Sequence, residues 1–243
     1  MKVALLFFGQ PRFIDNPEIE KVYKSSIISK YDTDVFCHSW WKQDGGEYDY
    51  SSWSKINKCP IPENALELIK EKYNPVILVH DEPKYFELPS DAKDFIDKKF
   101  TDKHPDGNHW NSKNYSNVMS QLWSIKTVSE IFDEYCKKSQ LTNHYDWVVL
   151  ARYDTVLINF PNLEECNSNK FYLPGHHPRF PDTIQFFGLK YLDWSKNVFN
   201  DIKDVYEKIW EPSPEAFKMF SFLKRFSLED LVPCSMDAAC IRG

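Results

Sequence analysis

Short apolar runs alternate with amphipathic segments along the first 150 residues, and this alternation limits the chain to few architectures. The run MKVALLFF at 1–8 is closed by Gly9-Gln10-Pro11-Arg12, as expected of a strand that is buried on both faces. Similar runs lie at 33–39, 75–80 and 145–152, with helical spacing between them. Because strands that alternate with helices form a mainly parallel sheet covered on both faces, we predict an α/β fold.

Helical periodicity locates the other elements of this predicted domain, which we expect to span residues 1–243. Ligands of parallel sheets bind beyond the carboxyl ends of the strands. The loops after the first, second and fourth predicted strands are therefore where we expect functional residues. The predicted helices begin at Pro17 or cover 62–73, 92–100, 116–138, 194–210 and 214–226, and shorter strands are predicted at 171–173 and 184–189.

Composition argues against several classes of function. The net charge is −6, whereas nucleic-acid binding needs a basic surface, so we expect no nucleic-acid partner. Only 7 of the 243 residues are glycine, which disfavours a glycine-rich phosphate-binding loop. The six cysteines include no CxxC pair, which excludes zinc-finger spacing.

Hydropathy indicates neither a signal peptide nor a transmembrane segment. The first apolar run is too short and is followed too abruptly by polar residues to serve as a signal peptide. No stretch approaches the roughly 20 apolar residues that a membrane span requires. We therefore expect a cytoplasmic protein with reduced thiols.

The most informative segment is YDWVVLARYD at 145–154, where an apolar strand runs directly into Arg152 and Asp154. Charges at the end of a buried strand are costly unless each has a partner. Asp154 is a candidate ligand for a divalent cation, Mn²⁺ or Mg²⁺, which would hold a diphosphate. Arg152 is a candidate to bind phosphate oxygens directly. A structural ion pair between the two residues explains the same spacing equally well.

This segment resembles the metal-binding stretch of GT-A type nucleotide-sugar glycosyltransferases, which carry Asp-x-Asp after a strand. Asp154 falls on the second Asp of that pattern, and Arg152 replaces the first. The chain also resembles a looser group of bacterial and viral glycosyltransferases over residues 1 to about 190. Four segments carry that resemblance in the same order: FFGQPR at 7–12, TDVFCHSWW at 33–41, MSQLWSIKT at 119–127 and YDWVVLARYD at 145–154.

The resemblance implies a GT-A-like fold, a nucleotide-sugar donor and a divalent cation on Asp154, although the replaced Asp leaves the metal requirement open. It also implies that the loop Gly9-Gln10-Pro11-Arg12 lies against the donor nucleotide. From the residues alone, Gly9 permits close backbone approach and Arg12 offers a charged fork. An ordinary strand-to-helix turn is the alternative.

Two further segments supply candidate donor contacts. Trp40 and Trp41 are adjacent, so they cannot both face one core, and we assign Trp40 as a flat surface for a base or sugar ring. Absorption of both rings by the following loop is the alternative. The resemblance places the start of the 116–138 helix near the donor, which makes Ser120 and Gln121 candidates; a solvated helix face is the alternative.

The polar segment at 175–182 provides the remaining candidates. Adjacent histidines point in different directions, but His176 alone could complete a metal shell with Asp154. Arg179 could contact phosphate. Asp182 stands where an acceptor-facing acid is expected in this kind of transferase, and it would act as the general base. An exposed turn is the alternative for the whole segment.

These candidates predict a glycosyltransferase that moves a sugar from a nucleotide-diphosphate donor to a glycan or other hydroxyl acceptor. Residues 1–155 would bind the donor and residues 156–243 the acceptor, and by analogy the product would be a polysaccharide. A sugar- or nucleotide-binding protein without turnover is the first alternative, supported by the missing Asp. A nucleotidyltransferase is a weaker one, because the loop after the first strand has a single glycine.

Overall fold

A seven-stranded sheet is the centre of the computed structural model, which describes residues 1–43, 47–49, 58–100, 112–175 and 180–240. Six of these strands run in the same direction, and only β9 runs against its neighbours. The predicted α/β fold with a mainly parallel sheet is therefore confirmed. The spatial order is β10 (Leu231–Cys234), β8 (Phe171–Pro174), β9 (Ile184–Phe187), β6 (Trp147–Arg152), β1 (Lys2–Gly9), β2 (Asp32–Trp40) and β5 (Ile77–Asp81).

Two small antiparallel pairs accompany the main sheet. Strand β3 (Glu47–Asp49) pairs with β4 (Lys58–Pro60). Strand β7 (Thr155–Asn159) pairs with β11 (Asp237–Cys240), which places Cys240 opposite Thr155. Neither pair is predictable from the sequence, because these strands are short and their residues are not continuously apolar.

The helices agree with the predicted positions, with ends shifted by a few residues, except in one segment. The predicted helix over 194–210 is wrong, since the structure has two short helices there, separated by a turn. The buried carboxylate of Asp201 lies in that turn, where Ser221, Lys224 and Arg225 hold it. The helices are α1 (Pro17–Tyr23, continued by a π-helical turn at Lys24–Ile28), α2 (Ala65–Tyr73), α3 (Ser90–Phe100), α4 (Ser112–Lys138), α5 (Leu192–Asn197), α6 (Ile202–Val205) and α7 (Pro214–Leu223).

The side chains of β1 divide the core into two halves. Alternate residues of a strand point to opposite faces, so Leu6 and Phe8 pack on the side of α3 to α7, while Leu5 and Phe7 pack on the side of α1 and α2. All four are fully buried, which explains the continuous apolar run. None of the described helices is long and apolar enough to cross a membrane.

Candidate active site

Four charged side chains from three separate parts of the sequence meet at the carboxyl ends of β1 and β6. The guanidinium of Arg152 bonds both oxygens of Asp154, with Nε to Oδ1 at 2.8 Å and Nη2 to Oδ2 at 2.7 Å. Its Nη1 donates to Oδ2 of Asp182 at 2.5 Å. Nη1 of Arg12 lies 3.9 Å from Oδ2 of Asp154. Arg12, Arg152 and Asp154, which follow the first and fourth predicted strands, therefore lie together, and Asp182 joins them from the segment before β9.

The reversed direction of β9 explains how Asp182 reaches this edge. A strand that runs against its neighbours begins where they end, so the residues before β9 lie beside the end of β6. The backbone N–H of Arg152 donates to the carbonyl of Thr183 at 3.1 Å, which fixes the two segments together. Asp182 therefore lies beside Arg152 at the same edge of the sheet, although 30 residues separate them in the sequence.

Tyr153 anchors the turn that carries Arg152 and Asp154. Its ring is buried and stacks on Phe7, with 5.2 Å between the ring centroids. Its hydroxyl accepts a hydrogen bond from Ser39 Oγ at 2.8 Å. Because Tyr153 points into the core, the residues on either side of it are free to pair with each other at the carboxyl edge of the sheet.

The four charges differ in their access to solvent. The side chain of Asp154 is 3% exposed, whereas those of Arg152 and Asp182 are 20% and 25% exposed. Burial would lower the pKa of Arg152, but the nearby charges of Asp154 and Asp182, Cys240 and the hydrogen bond to Asp154 together outweigh burial, and the pKa is raised. Burial would raise the pKa of Asp182, but the charges of Arg152 and Lys218, together with hydrogen bonds from Arg152 and the backbone, outweigh burial, and the pKa is lowered. Arg152 thus stays cationic and Asp182 anionic at neutral pH.

Three side chains hold the turn that carries Asp182. The amine of Lys218 donates to the carbonyl of Pro181 at 2.6 Å, and the amide of Gln185 donates to the same carbonyl. The amide of Gln121 donates to the carbonyl of Asp182 at 3.3 Å. The predicted donor contact Gln121 therefore serves this turn in the structure.

Lys218 is a site residue that the sequence analysis missed. It is fully buried, and burial lowers its pKa to about 8 despite the nearby carboxylates of Asp182 and Glu215. Burial and the charge of Asp182 raise the pKa of Glu215. Lys218 lies in α7 between apolar neighbours. That position within a predicted helix is the sequence feature that indicates it, because a lysine on the inward face of a helix needs a partner.

A buried network fixes the backbone of the loop that carries Arg12. Gly9 has a φ of 99°, which favours glycine, and its N–H donates to Ser124 Oγ at 2.7 Å. Ser124 Oγ lies 2.6 Å from His38 Nδ1, and His38 Nε2 lies 3.4 Å from Asp81 Oδ2. Within the loop, Nε of Arg12 donates to Gln10 Oε1 at 2.7 Å.

The network contains the residue types of a Ser-His-Asp triad, but its role is structural: it holds the backbone at Gly9. Burial lowers the pKa of His38 to about 4, so the ring is neutral at pH 7. With the proton on Nε2, every polar group of the network has a partner. Nε2 donates to Asp81, the hydroxyl of Ser124 donates to Nδ1, and the same hydroxyl accepts from the N–H of Gly9. Ser124 and His38 are fully buried, so no substrate reaches the hydroxyl.

Trp40 and Ser120, two other predicted donor contacts, make contacts within the protein. Trp40 is only 3% exposed, and its indole N–H donates to the carbonyl of Ser120 at 3.0 Å. The ring is packed beside His38 and Phe86 and is not an open surface in this structure, so the assignment of Trp40 as a donor contact stays a prediction. The hydroxyl of Ser120 donates to the carbonyl of Ser116 at 2.8 Å, within α4.

The surroundings of Asp154 do not fit a divalent cation. Both carboxylate oxygens accept hydrogen bonds from the cationic Arg152, and Arg12 lies 3.9 Å away, whereas Mn²⁺ and Mg²⁺ need several oxygen or nitrogen ligands around them. Among the described residues, no group of three His, Cys, Asp or Glu side chains is placed to hold a metal ion. His176 and Arg179, the other predicted metal and phosphate contacts, lie outside the described residues.

Comparison with known proteins shows a similarity of fold to a solved structure and no match in sequence. No protein-family model and no curated protein matches the sequence. Core-mannan synthase A from Aspergillus fumigatus, solved in its Mn/GDP form, matches with a TM-score of 0.52 and 9% identity, over 99% of this chain and 75% of that one. A glycosyltransferase involved in the glycosylation of the major capsid of PBCV-1 matches with a TM-score of 0.36 and 8% identity, over 96% and 81% of the two chains. The second TM-score is too low to indicate a common fold, and the first shows that this chain shares the architecture of a glycosyltransferase.

Proposed function

We propose that the protein is a glycosyltransferase that moves a sugar from a nucleotide-diphosphate donor to a hydroxyl group of a glycan or other acceptor. One observation carries the proposal: Arg12, Arg152, Asp154 and Asp182 meet at the carboxyl edge of a parallel sheet, where ligands of such sheets bind. The shared architecture with a glycosyltransferase supports it. Residues 1–155 supply the donor side, and the later segments supply the acceptor side.

The reaction assigns a role to each charge. The acceptor oxygen attacks the anomeric carbon, the bond between that carbon and the diphosphate oxygen breaks, and the diphosphate leaves with the electron pair. Arg152 and Arg12 stabilise the negative charge that develops on the diphosphate. Asp182, which is ionised and a quarter exposed, takes the proton of the acceptor hydroxyl. A divalent cation, if bound, would supply further positive charge, but no step here depends on one.

A panel of nucleotide sugars tests the proposal. Each is incubated with the protein and with mono- or oligosaccharide acceptors, and release of the nucleoside diphosphate is followed by chromatography and glycosylated product by mass spectrometry. We expect turnover with at least one donor. Asp182→Asn should lower turnover and leave donor affinity within about twofold, because a base acts on the acceptor. The control Asp201→Asn removes a buried carboxylate from a separate ion-pair network and should leave turnover per folded molecule unchanged.

One feature favours a second candidate, a nucleotide- or sugar-binding protein without turnover. Asp182 is held by Arg152 and has a lowered pKa, and a weaker base is a poorer catalyst. Donor binding without release of nucleoside diphosphate, across all acceptors and in the presence of Mn²⁺, would establish this alternative and refute the transferase.

A further inference from the structure

We propose that the site holds the diphosphate of a nucleotide with arginine instead of a divalent cation. Arg152 and Arg12 bind the diphosphate oxygens, and Asp154 is a positioning residue that orients Arg152. This inference rests on the proposed function and specifies how the donor is held. It predicts a donor affinity that does not depend on metal.

The geometry of Arg152 is the first support. A guanidinium carries five N–H donors in a rigid plane, and three of those of Arg152 are used by Asp154 and Asp182. In the contacts that the described residues make, one N–H on each terminal nitrogen is left for an incoming oxygen. The side chain is 20% exposed, so a phosphate has access to it. The bidentate pair with Asp154 fixes the plane of the guanidinium before the ligand arrives, which reduces the ordering that binding requires.

Electrostatics give the second support. A divalent cation on Asp154 would lie close to the guanidinium that already occupies both oxygens of this carboxylate. At such a distance a doubly charged ion and a guanidinium repel each other strongly. Arg12, 3.9 Å from the same carboxylate, adds to the repulsion. Asp154 is therefore already neutralised by arginine.

Equilibrium binding of UDP and GDP tests the inference without relying on turnover. Dissociation constants are measured by calorimetry with excess EDTA and with excess Mn²⁺, for the protein and its variants. We expect at least one nucleotide to bind with constants that agree within about twofold between the two buffers. Arg152→Met should weaken binding by about 10- to 100-fold in both, the range expected for hydrogen bonds to a charged group. Asp154→Asn should weaken it by about tenfold in both, because a neutral amide no longer orients the guanidinium.

Matched controls come from a second buried ion pair. Arg225 bonds Asp201 much as Arg152 bonds Asp154, so Arg225→Met and Asp201→Asn test loss of a buried pair away from the candidate site. Both should leave the dissociation constants within about twofold of the wild-type values. If Arg152→Met does not fold, Arg12→Met takes its place, with the same expected direction. Equal weakening by the control variants would overturn the inference, because the effect would then be structural.

The outcomes separate the inference from the proposed function. Binding that appears only with Mn²⁺, or a loss in Asp154→Asn that appears only with Mn²⁺, overturns the inference and leaves the transferase intact. Absence of binding for both nucleotides in both buffers overturns the proposed function together with the inference. Mn²⁺ alone, followed by electron paramagnetic resonance, should keep its free signal in the presence of the protein. A stoichiometric loss of that signal which Asp154→Asn abolishes would also overturn the inference.

Discussion

Substitutions of Arg152 and Asp154 should have strongly non-additive effects on the free energy of unfolding, because the two residues form a buried ion pair. Asp154 is buried and accepts two charge-assisted hydrogen bonds from Arg152, at 2.8 and 2.7 Å. Removing one partner of a buried pair costs about 3–5 kcal/mol, because the other charge is left uncompensated. For Asp154→Leu we expect about 3 kcal/mol, the lower end of this range, since Arg152 keeps Asp182 as a partner.

The reverse variant should cost more. Arg152→Met leaves Asp154 buried with Arg12 at 3.9 Å, and we expect about 4–5 kcal/mol. The double variant Arg152→Met/Asp154→Leu has neither charge, and apolar replacements of a buried pair are often nearly neutral, so we expect about 0–2 kcal/mol. The two substitutions together should therefore cost less than either alone.

Urea unfolding followed by tryptophan fluorescence measures these free energies of unfolding, provided that the slope with denaturant stays constant. Arg152→Met combined with Asp201→Leu is the control, because Asp201 belongs to the separate network with Lys224 and Arg225. That combination should be additive within about 0.5 kcal/mol. If Arg152→Met and Asp154→Leu are also additive to this degree, the reasoning about a buried, coupled pair is refuted.

Three further predictions concern the supports of the site and the core. Ser124→Ala removes the acceptor of the Gly9 N–H and the partner of His38, so it should cost about 1–3 kcal/mol in urea unfolding; a loss below about 0.5 kcal/mol would contradict the network. Phe171 packs against Phe187, Trp194 and Phe222, with ring centroids 4.7, 5.1 and 5.1 Å away, and Phe171→Ala should cost about 3–5 kcal/mol, whereas a loss under 2 kcal/mol would be inconsistent with a close-packed cluster. The pKa of Lys218 is lowered to about 8 from an ordinary value of 10.5, so the unfolded chain binds more protons between these values and stability should rise with pH across that window, by up to about 1.4 kcal/mol per pH unit. The rise should be absent in Lys218→Met, and an equal rise in this variant would rule out Lys218 as its source.

The sequence predicts the central sheet well because the physical signal is strong there. A fully buried strand must be apolar at every position, so β1 and β6 are visible as continuous apolar runs. The helix that begins at Pro17 is equally visible, since proline is favoured in the first turn. Strands β7, β10 and β11 are missed because they are short and partly exposed, and they depend on pairing partners far away in sequence.

The candidate site is predictable only in part. Arg12, Arg152, Asp154 and Asp182 follow or precede strands that the sequence reveals, so their meeting at one edge follows from the topology. The contribution of Lys218 does not, because it depends on how α7 packs against the turn before β9. The apolar spacing over 194–210 suggests one helix, since periodicity carries no sign of the tertiary ion pairs that hold Asp201 in the break.

The central claim is that Arg12 and Arg152 bind the diphosphate of a nucleotide sugar at the carboxyl edge of the sheet. A crystal structure of the protein with the donor identified in the panel tests it most directly. The account predicts density for the diphosphate within hydrogen-bond distance of the guanidinium groups of Arg12 and Arg152, with Asp154 still bonded to Arg152. A diphosphate bound elsewhere on the molecule, or one joined to Asp154 through a metal ion with Arg152 displaced, would contradict it.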